Sequence, residues 1–203
     1  MRFVLFLVLS VLLPALPAQA GDDAPVCGRT WTVTQADSSL KIRGKQMADD
    51  FEASFSQFDV DICYDPEKPE NAQLKVVVKT NSFTSGSADR DSTAMTKEWF
   101  GVKGFPEAVF IATGFRKKEG GGFEAPGTLR IKETEQPVTL DFTLDIQNEE
   151  SLGYSWANAQ GSAVLDRSRF ALGTGDWADA SIIANNVTVE FSIRAHDAAH
   201  KDK

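Results

Sequence analysis

The sequence predicts an all-β protein whose antiparallel strands close around one dry interior, with a single short helix. Val138 to Gln147 reads V-T-L-D-F-T-L-D-I-Q, apolar at every even position and polar at every odd one, which is the pattern of a strand with one wet and one dry face. The same two-residue beat returns elsewhere: Leu74, Val76 and Val78 mark one strand, and Val187, Val189, Phe191 and Ile193 mark another. The third observation is a slip. The beat runs Phe51, Ala53, Phe55 and resumes at Phe58, Val60, Ile62, one residue out of phase. A β-bulge near Ser56-Gln57 accounts for it and bends the strand, as a closing sheet requires.

Taken in order, Trp31 to Val33 and Leu40 to Lys45 read as the first two strands, separated by a tight turn at Asp37-Ser38-Ser39. Leu40 and Ile42 face in, while Lys41, Arg43 and Lys45 face out. After the Phe51 to Ile62 segment, Asp65-Pro-Glu-Lys-Pro-Glu-Asn71 is a turn, because two prolines cannot continue a ladder. Ala72 to Thr80 is the next strand. The period then changes. Met95, Trp99 and Val102 fall at helical spacing, Asp89 and Asp91 suit a first turn, and Gly101 and Gly104 mark an exit, so a helix is expected over Ala88 to Phe100. Ala108, Phe110 and Ala112 restore the beat, and Gly120-Gly121-Gly122 is a hairpin tip. No P-loop lysine or strand-to-helix context makes that run a phosphate cradle. Strands follow at Phe123 to Lys132, Pro137 to Gln147, Tyr154 to Asp166 and Val187 to Ala195, with an irregular segment or short strand over Arg167 to Asn186.

The ends and the composition narrow the class. Arg2, the apolar run Phe3 to Leu13 and the small-residue site Ala18-Gln19-Ala20 read as a signal peptide over residues 1–20. That run is too short to span a bilayer, and no other segment reaches the roughly 20 apolar residues a spanning helix needs. An exported, soluble product is expected, with a leader over 21–28, one β-barrel domain over 29–195 and a polar tail over 196–203 that carries His196 and His200. Ala24-Pro25-Val26 does not suit lipid attachment at Cys27. The net charge is −8, and loss of Arg2 makes it more acidic, which disfavours nucleic acid and anionic membrane as partners. Cys27 and Cys63 are the only cysteines. An even count in an oxidising compartment invites a disulfide; two separate thiols are the alternative.

The chemistry is thin. With no histidine before His196, a Ser-His or Cys-His pair within the barrel and a His-based metal site are disfavoured, and no cofactor or metal is expected. Asp59 and Asp61 alternate with Val60 and Ile62 and so face solvent. Asp89-Arg90-Asp91 is more suggestive, because charged residues at a barrel mouth meet a ligand head group, although helix capping and a local ion pair account for them too. An aromatic-rich chain without catalytic apparatus remains, in which fourteen Phe stand against two Tyr. Phe brings apolar area with no hydroxyl to satisfy and so suits a dry lining. Small closed barrels hold one ligand inside, as lipocalins do.

Several strings match a known family in order and spacing: Phe55-Ser-Gln-Phe-Asp-Val-Asp-Ile-Cys-Tyr-Asp-Pro-Glu-Lys-Pro-Glu-Asn-Ala72, Asp89-Arg-Asp91, Glu98-Trp-Phe100, Phe105-Pro-Glu-Ala-Val-Phe110, Gly127-Thr-Leu129, Pro137-Val-Thr-Leu140 and Asp166-Arg-Ser-Arg-Phe170. The chain resembles the YceI-like family. The resemblance implies a periplasmic, lipocalin-like barrel of eight antiparallel strands with one helix, enclosing a polyisoprenoid chain. Trp99 and Gly173-Thr-Gly-Asp-Trp177 are similar to the subgroup found with membrane b-type cytochromes, which implies an isoprenoid quinone or its precursor as ligand and such a cytochrome as partner. Asp37 and Gln46 stand where the family often has histidines, so contacts ascribed to those histidines are not carried over. The expected lining is Ile42, Phe51, Phe55, Phe58, Val76, Val78, Phe110, Leu129, Leu140, Phe142, Phe170 and Phe191, with Met95, Trp99 and Phe100 at the mouth. A non-enzymatic binding protein is expected; the alternative is an accessory module for a membrane cytochrome, with a filled core.

Overall fold

A computed structural model describes residues 28–149 and 153–197. Strand β1 (Thr30–Val33) and strand β2 (Ser39–Gln46) are two halves of one kinked strand, parted by a 3-10 turn at Gln35–Asp37 rather than by the expected turn at Asp37 to Ser39. Strands β3 (Asp49–Phe55) and β4 (Phe58–Cys63) repeat the arrangement: β3 pairs with β2, and β4 with β1. Then come β5 (Gln73–Lys79), the short β6 (Phe83–Thr84) on β3, helix α1 (Ala88–Ala94), β7 (Glu107–Thr113), the short β8 (Arg116–Lys117) on β9 (Phe123–Ile131), β10 (Thr134–Glu149), β11 (Tyr154–Asp166) and β12 (Asn186–Asp197).

All pairings are antiparallel. Around the ring β4, β5, β7, β9, β10, β11 and β12 follow one another, and β12 pairs with both β1 and β2 to close it. Counted with each kinked pair as one, the sheet is a closed eight-stranded barrel, with a single α-helix among the described residues. The slip in the sequence is the break between β3 and β4. Ser56 N–H donates to Ser82 O at 3.3 Å and Gln57 N–H to Ser82 Oγ at 3.1 Å, so two residues leave the ladder while Phe55 and Phe58 on either side both stay buried.

The two faces of the barrel follow from the alternation. Outside, Lys41 meets Glu52 at 2.9 Å, and Arg43 meets Glu190 at 3.0 Å and Glu52 at 3.4 Å, a network across β3, β2 and β12. These groups are well exposed, so water and salt screen their attraction and it adds little to stability; their main effect is to keep this face wet. Among the described residues no helix is long and apolar enough to cross a membrane.

Helix α1 is shorter than the expected Ala88 to Phe100. It begins at Ser87, whose Oγ accepts from Arg90 N–H, and ends at Ala94. Beyond it Thr96 Oγ1 turns back to donate to Thr93 O at 2.8 Å, Phe100 N–H takes Ala94 O at 3.1 Å, and Gly101 N–H takes Thr96 O at 2.7 Å with Gly101 at φ 61°. Threonine hydroxyls that bond nearby backbone compete with helix, and the left-handed glycine completes the exit. The C-terminal end of the barrel differs from expectation as well. His196 belongs to β12, not to a tail: it lies opposite Thr32 of β1 and Trp156 of β11. Pairing on both sides extends the strand past the last residue that the alternation marks.

Arg167 to Asn186 is irregular, as expected, with 3-10 turns at Arg167–Phe170 and Gly175–Trp177 and one isolated bridge between Gln46 and Ile183. It crosses the same end of the barrel as α1, because Gly173 and Thr174 N–H both donate to Glu98 O, at 2.7 and 3.1 Å. The expected signal peptide over 1–20, the leader up to Cys27 and His200 lie outside the described residues, and with them the Cys27–Cys63 pairing.

Candidate ligand cavity

The interior is not filled, and the reason is the size of one strand's side chains. On β11 the positions that share the inward face are Ser155, Ala157, Ala159, Gly161, Ala163 and Leu165. Opposite them stand the larger Leu140, Phe142, Leu144 and Ile146 of β10 and Val187, Val189, Phe191 and Ile193 of β12. A Cβ on Gly161 would sit 2.5 Å from the Cβ of Phe142 and 2.7 Å from Cζ of Phe191, so its hydrogen is what lets those rings lie where they do. A wall of Ala and Gly facing larger residues leaves a cavity of about 550 Å³. That lies within the range of roughly 300–1,000 Å³ common for small-molecule sites. The filled core of the alternative reading does not describe this interior.

The cavity runs between two unlike ends. One is closed by aromatics. Trp31 is 3% exposed and its Nε1–H donates to Tyr64 O at 2.9 Å, while the Tyr64 ring packs 5.4 Å from Phe115 and Phe115 stands edge-on to Phe142 at 5.2 Å. Burial, with Asp65 nearby, raises the Tyr64 phenol above its ordinary pKa, so it stays neutral. The other end lies under α1 and the Arg167–Asn186 segment. Apart from Tyr64, every polar or charged side chain on the cavity wall is there: Gln46, Ser87, Asp89, Arg90, Thr93 and Arg167.

Arg167 builds this end. It is 2% exposed, yet among the described residues no carboxylate forms an ion pair with its guanidinium. Instead Nη1 donates to Leu172 O (2.8 Å) and Gly173 O (3.1 Å), Nη2 to Ile183 O (2.7 Å) and Trp177 O (2.9 Å), and Nε to Ala184 O (3.2 Å). The planar fork thus supplies the donors that an irregular loop lacks for its own carbonyls. Burial draws its pKa below the usual arginine value, opposed by Asp166; a guanidinium remains charged regardless. Lys132 acts similarly from the β9–β10 turn, donating to Ala171 O (2.9 Å), Trp99 O (3.0 Å) and Lys97 O (3.3 Å). The two cations tie the turns after α1 to the Arg167–Asn186 segment as one cap.

Of the residues expected from sequence to line the interior, Ile42, Phe51, Phe55, Phe58, Val76, Val78, Trp99, Phe100, Phe110, Leu129, Leu140, Phe142 and Phe191 stand on the cavity wall. Met95 and Phe170 do not. Met95 is the C-cap of α1, and because the helix stops at Ala94 the stripe that would carry Met95 inward with Trp99 is broken. Phe170 is buried behind the wall, packed in a cluster with Ala108, Ile131, Leu165 and Leu172, which themselves reach the cavity. The Asp89-Arg90-Asp91 run divides by role. Asp91 accepts from Ser85 N–H (2.7 Å), Ser85 Oγ–H (2.6 Å) and Thr84 Oγ1–H (3.1 Å), which hold its carboxyl below the usual range, whereas Asp89 and Arg90 reach the cavity. Among the wall residues absent from the expected lining are Trp31, Gln46, Ala159, Arg167 and Trp177. A signal for Ala159 was present in the alternate small residues of β11; Arg167 had none, since its partners are loop carbonyls.

A closed antiparallel barrel with charged residues outward and an apolar cavity inside is a lipocalin-like architecture. Residues 31–195 match the YceI-like domain, and the chain belongs to that family. A UPF0312 protein of Yersinia enterocolitica (serotype O:8, biotype 1B) is 34% identical over 100 residues, 49% of this chain and 52% of that protein. The chain thus spans about half the length of the curated relatives it matches. Among solved structures, BcnA of Burkholderia cenocepacia is similar with TM-score 0.73 and 29% identity, over 80% of this chain and 99% of that one. The YCEI protein of Campylobacter jejuni (TM-score 0.67, 19% identity, 75% and 87% covered) and a polyisoprenoid binding domain from Saccharophagus degradans (0.60, 12%, 81% and 97%) share the fold.

Proposed function

We propose that the protein is a periplasmic, non-catalytic carrier that holds a polyisoprenoid or isoprenoid quinone in its barrel. The observation that carries this reading is the polarity of the cavity, apolar along its length with its charged groups gathered at one end. An amphiphile with a long branched tail and a compact head matches that distribution. The fold shared with a polyisoprenoid binding domain supports the same class of ligand. Each CH₂ transferred from water to the wall contributes about 0.8 kcal/mol, so a few isoprene units offset the cost of immobilising the ligand. A membrane cytochrome as the protein that delivers or receives the lipid rests on the sequence resemblance alone.

Substitution at the small-residue wall tests the reading. Trp31, Trp99 and Trp177 line the cavity, so titration of delipidated protein with all-trans geranylgeraniol is followed by tryptophan fluorescence. The wild type should saturate at one molecule per chain. Ala159→Phe, which pushes a ring into the cavity, should weaken binding at least about tenfold, and Ala159→Ser should not. Equal binding by wild type and Ala159→Phe would place the ligand elsewhere.

A further inference from the structure

Among the side chains that line the cavity Asp89 alone is exposed, so the interior meets water beside the first turn of α1. The two borders of that place are unequally held. The tip of the β2–β3 hairpin is fixed to the Arg167–Asn186 segment by backbone bonds, Met47 N–H to Ile182 O at 2.8 Å and Ala184 N–H to Lys45 O at 3.0 Å. Opposite it, α1 is held near its two ends. At the start Asp91 accepts from Ser85, and the adjoining Thr84 pairs with Ser54 of β3. Beyond the helix the Phe100 ring packs 5.7 Å from Phe55 and 5.8 Å from Phe83, and Lys132 donates to Trp99 O. Between these anchors, among the described residues, Arg90 alone joins α1 to the hairpin by a hydrogen bond or ring contact. Its Nη2 donates to Gln46 Oε1 at 3.3 Å, beyond the roughly 2.7–3.2 Å of an ordinary N–H···O bond. Its Cζ lies 4.8 Å from the centroid of the Phe51 ring, which also packs on Gly44, where a Cβ would come within 2.7 Å of Cζ. Gly86 and Gly101 stand at the two anchors in left-handed conformations, φ 73° and 61°, and nothing lies within 4 Å of where a Cβ on Gly86 would be.

We propose that α1 is a flap that tilts about the line from Gly86 to Gly101, that lipid enters and leaves through the seam this opens against the β2–β3 hairpin, and that Arg90 is the latch. The inference rests on the carrier reading and adds the route by which the cavity fills. Every other boundary is closed more firmly. The far end is shut by Trp31, Tyr64 and Phe115, all buried. The wall is a continuous antiparallel ladder, and parting two strands would break backbone hydrogen bonds in series. The remainder of the cap is pinned through its carbonyls by Arg167 and Lys132. Opening the seam breaks one long hydrogen bond and one cation–π contact, both made by a single side chain, and leaves the sheet intact. Local opening draws on the least-bonded part of a structure, and here that part borders the cavity where it meets water.

Exchange rates test the flap, because a latch and a contact to the lipid move them differently. Uptake of all-trans geranylgeraniol by delipidated full-length protein, and its transfer from loaded protein to excess phosphatidylcholine vesicles, are followed by stopped-flow tryptophan fluorescence. Arg90→Met lengthens the time the flap stands open, so uptake and release should both quicken about three- to tenfold. Loss of a contact to the lipid would quicken release alone. In a second arm Gln46→Cys and Arg90→Cys are combined and joined across the seam with bismaleimidoethane. The same protein capped with N-ethylmaleimide is the unlinked control, and wild type treated alike controls for Cys27 and Cys63. Linking should slow uptake and release at least about tenfold against the capped protein. Uptake no faster in Arg90→Met, or linked and capped proteins exchanging at the same rate, would overturn the flap and leave the carrier reading standing. No uptake by the wild type would overturn the carrier reading, and the inference with it.

Discussion

Arg167 is the side chain on which the capped end of the barrel depends. Its donors satisfy carbonyls of Leu172, Gly173, Trp177, Ile183 and Ala184, spread over a segment with little regular structure of its own. Arg167→Met keeps the length and leaves those carbonyls buried and unpaired, so it should destabilise the fold by about 3 kcal/mol. For a chain of this size that lowers the thermal midpoint by roughly 6–12 °C. Arg167→Lys should recover little, because one ammonium cannot reproduce a planar fork. A midpoint unchanged in Arg167→Met would show that the cap is held by packing. None of this was legible in the sequence. Asp166-Arg-Ser-Arg-Phe170 stands out there as a string, but alternation reports which residues are apolar, not which loop carbonyls will converge on a guanidinium. Phe170 illustrates the same limit: its apolarity reads correctly as burial, yet burial beneath the cap is not exposure to the cavity.

At the scale of elements the two-residue beat did most of the work, and it failed where length and size mattered. It placed β10 and β12 well and marked the kink between β3 and β4, because each depends on local alternation alone. It overran α1, whose end is set by Thr93, Thr96 and Gly101 closing turns on backbone groups. It placed β11 with its observed bounds, Tyr154–Asp166, but not its part in the cavity, since a binary pattern scores Ala159 and Phe142 alike although only the small residue leaves room. The junction before α1 carries a pH dependence with a definite sign. Asp91 is held below the usual carboxylate range, first by the Ser85 hydroxyl. A carboxylate with a lowered folded pKa contributes stability that is present in full above its unfolded pKa and is lost as pH falls through the folded value. The Ser85–Asp91 junction should therefore be intact at neutral pH and loosen only on acidification below the usual carboxylate range. In Asp91→Asn, amide exchange at Ser85 should be fast already at neutral pH and lose that acid dependence; protection equal to wild type would contradict the assignment.

For the whole molecule, one arrangement explains the features together. Charged residues face out, large apolar residues line most of the inner wall, β11 leaves the space, and the α1 end supplies the polarity. Closure by β12 on both β1 and β2 removes the edges that would make such a sheet self-associate. The most direct test of this account is lipid extraction of the protein purified under non-denaturing conditions from the cells that make it, followed by mass spectrometry. The account predicts an isoprenoid-chain lipid recovered at close to one per chain from the wild type and strongly depleted from Ala159→Phe. Repeated recovery of wild-type protein with no long-chain lipid, or equal lipid in both proteins, would contradict it.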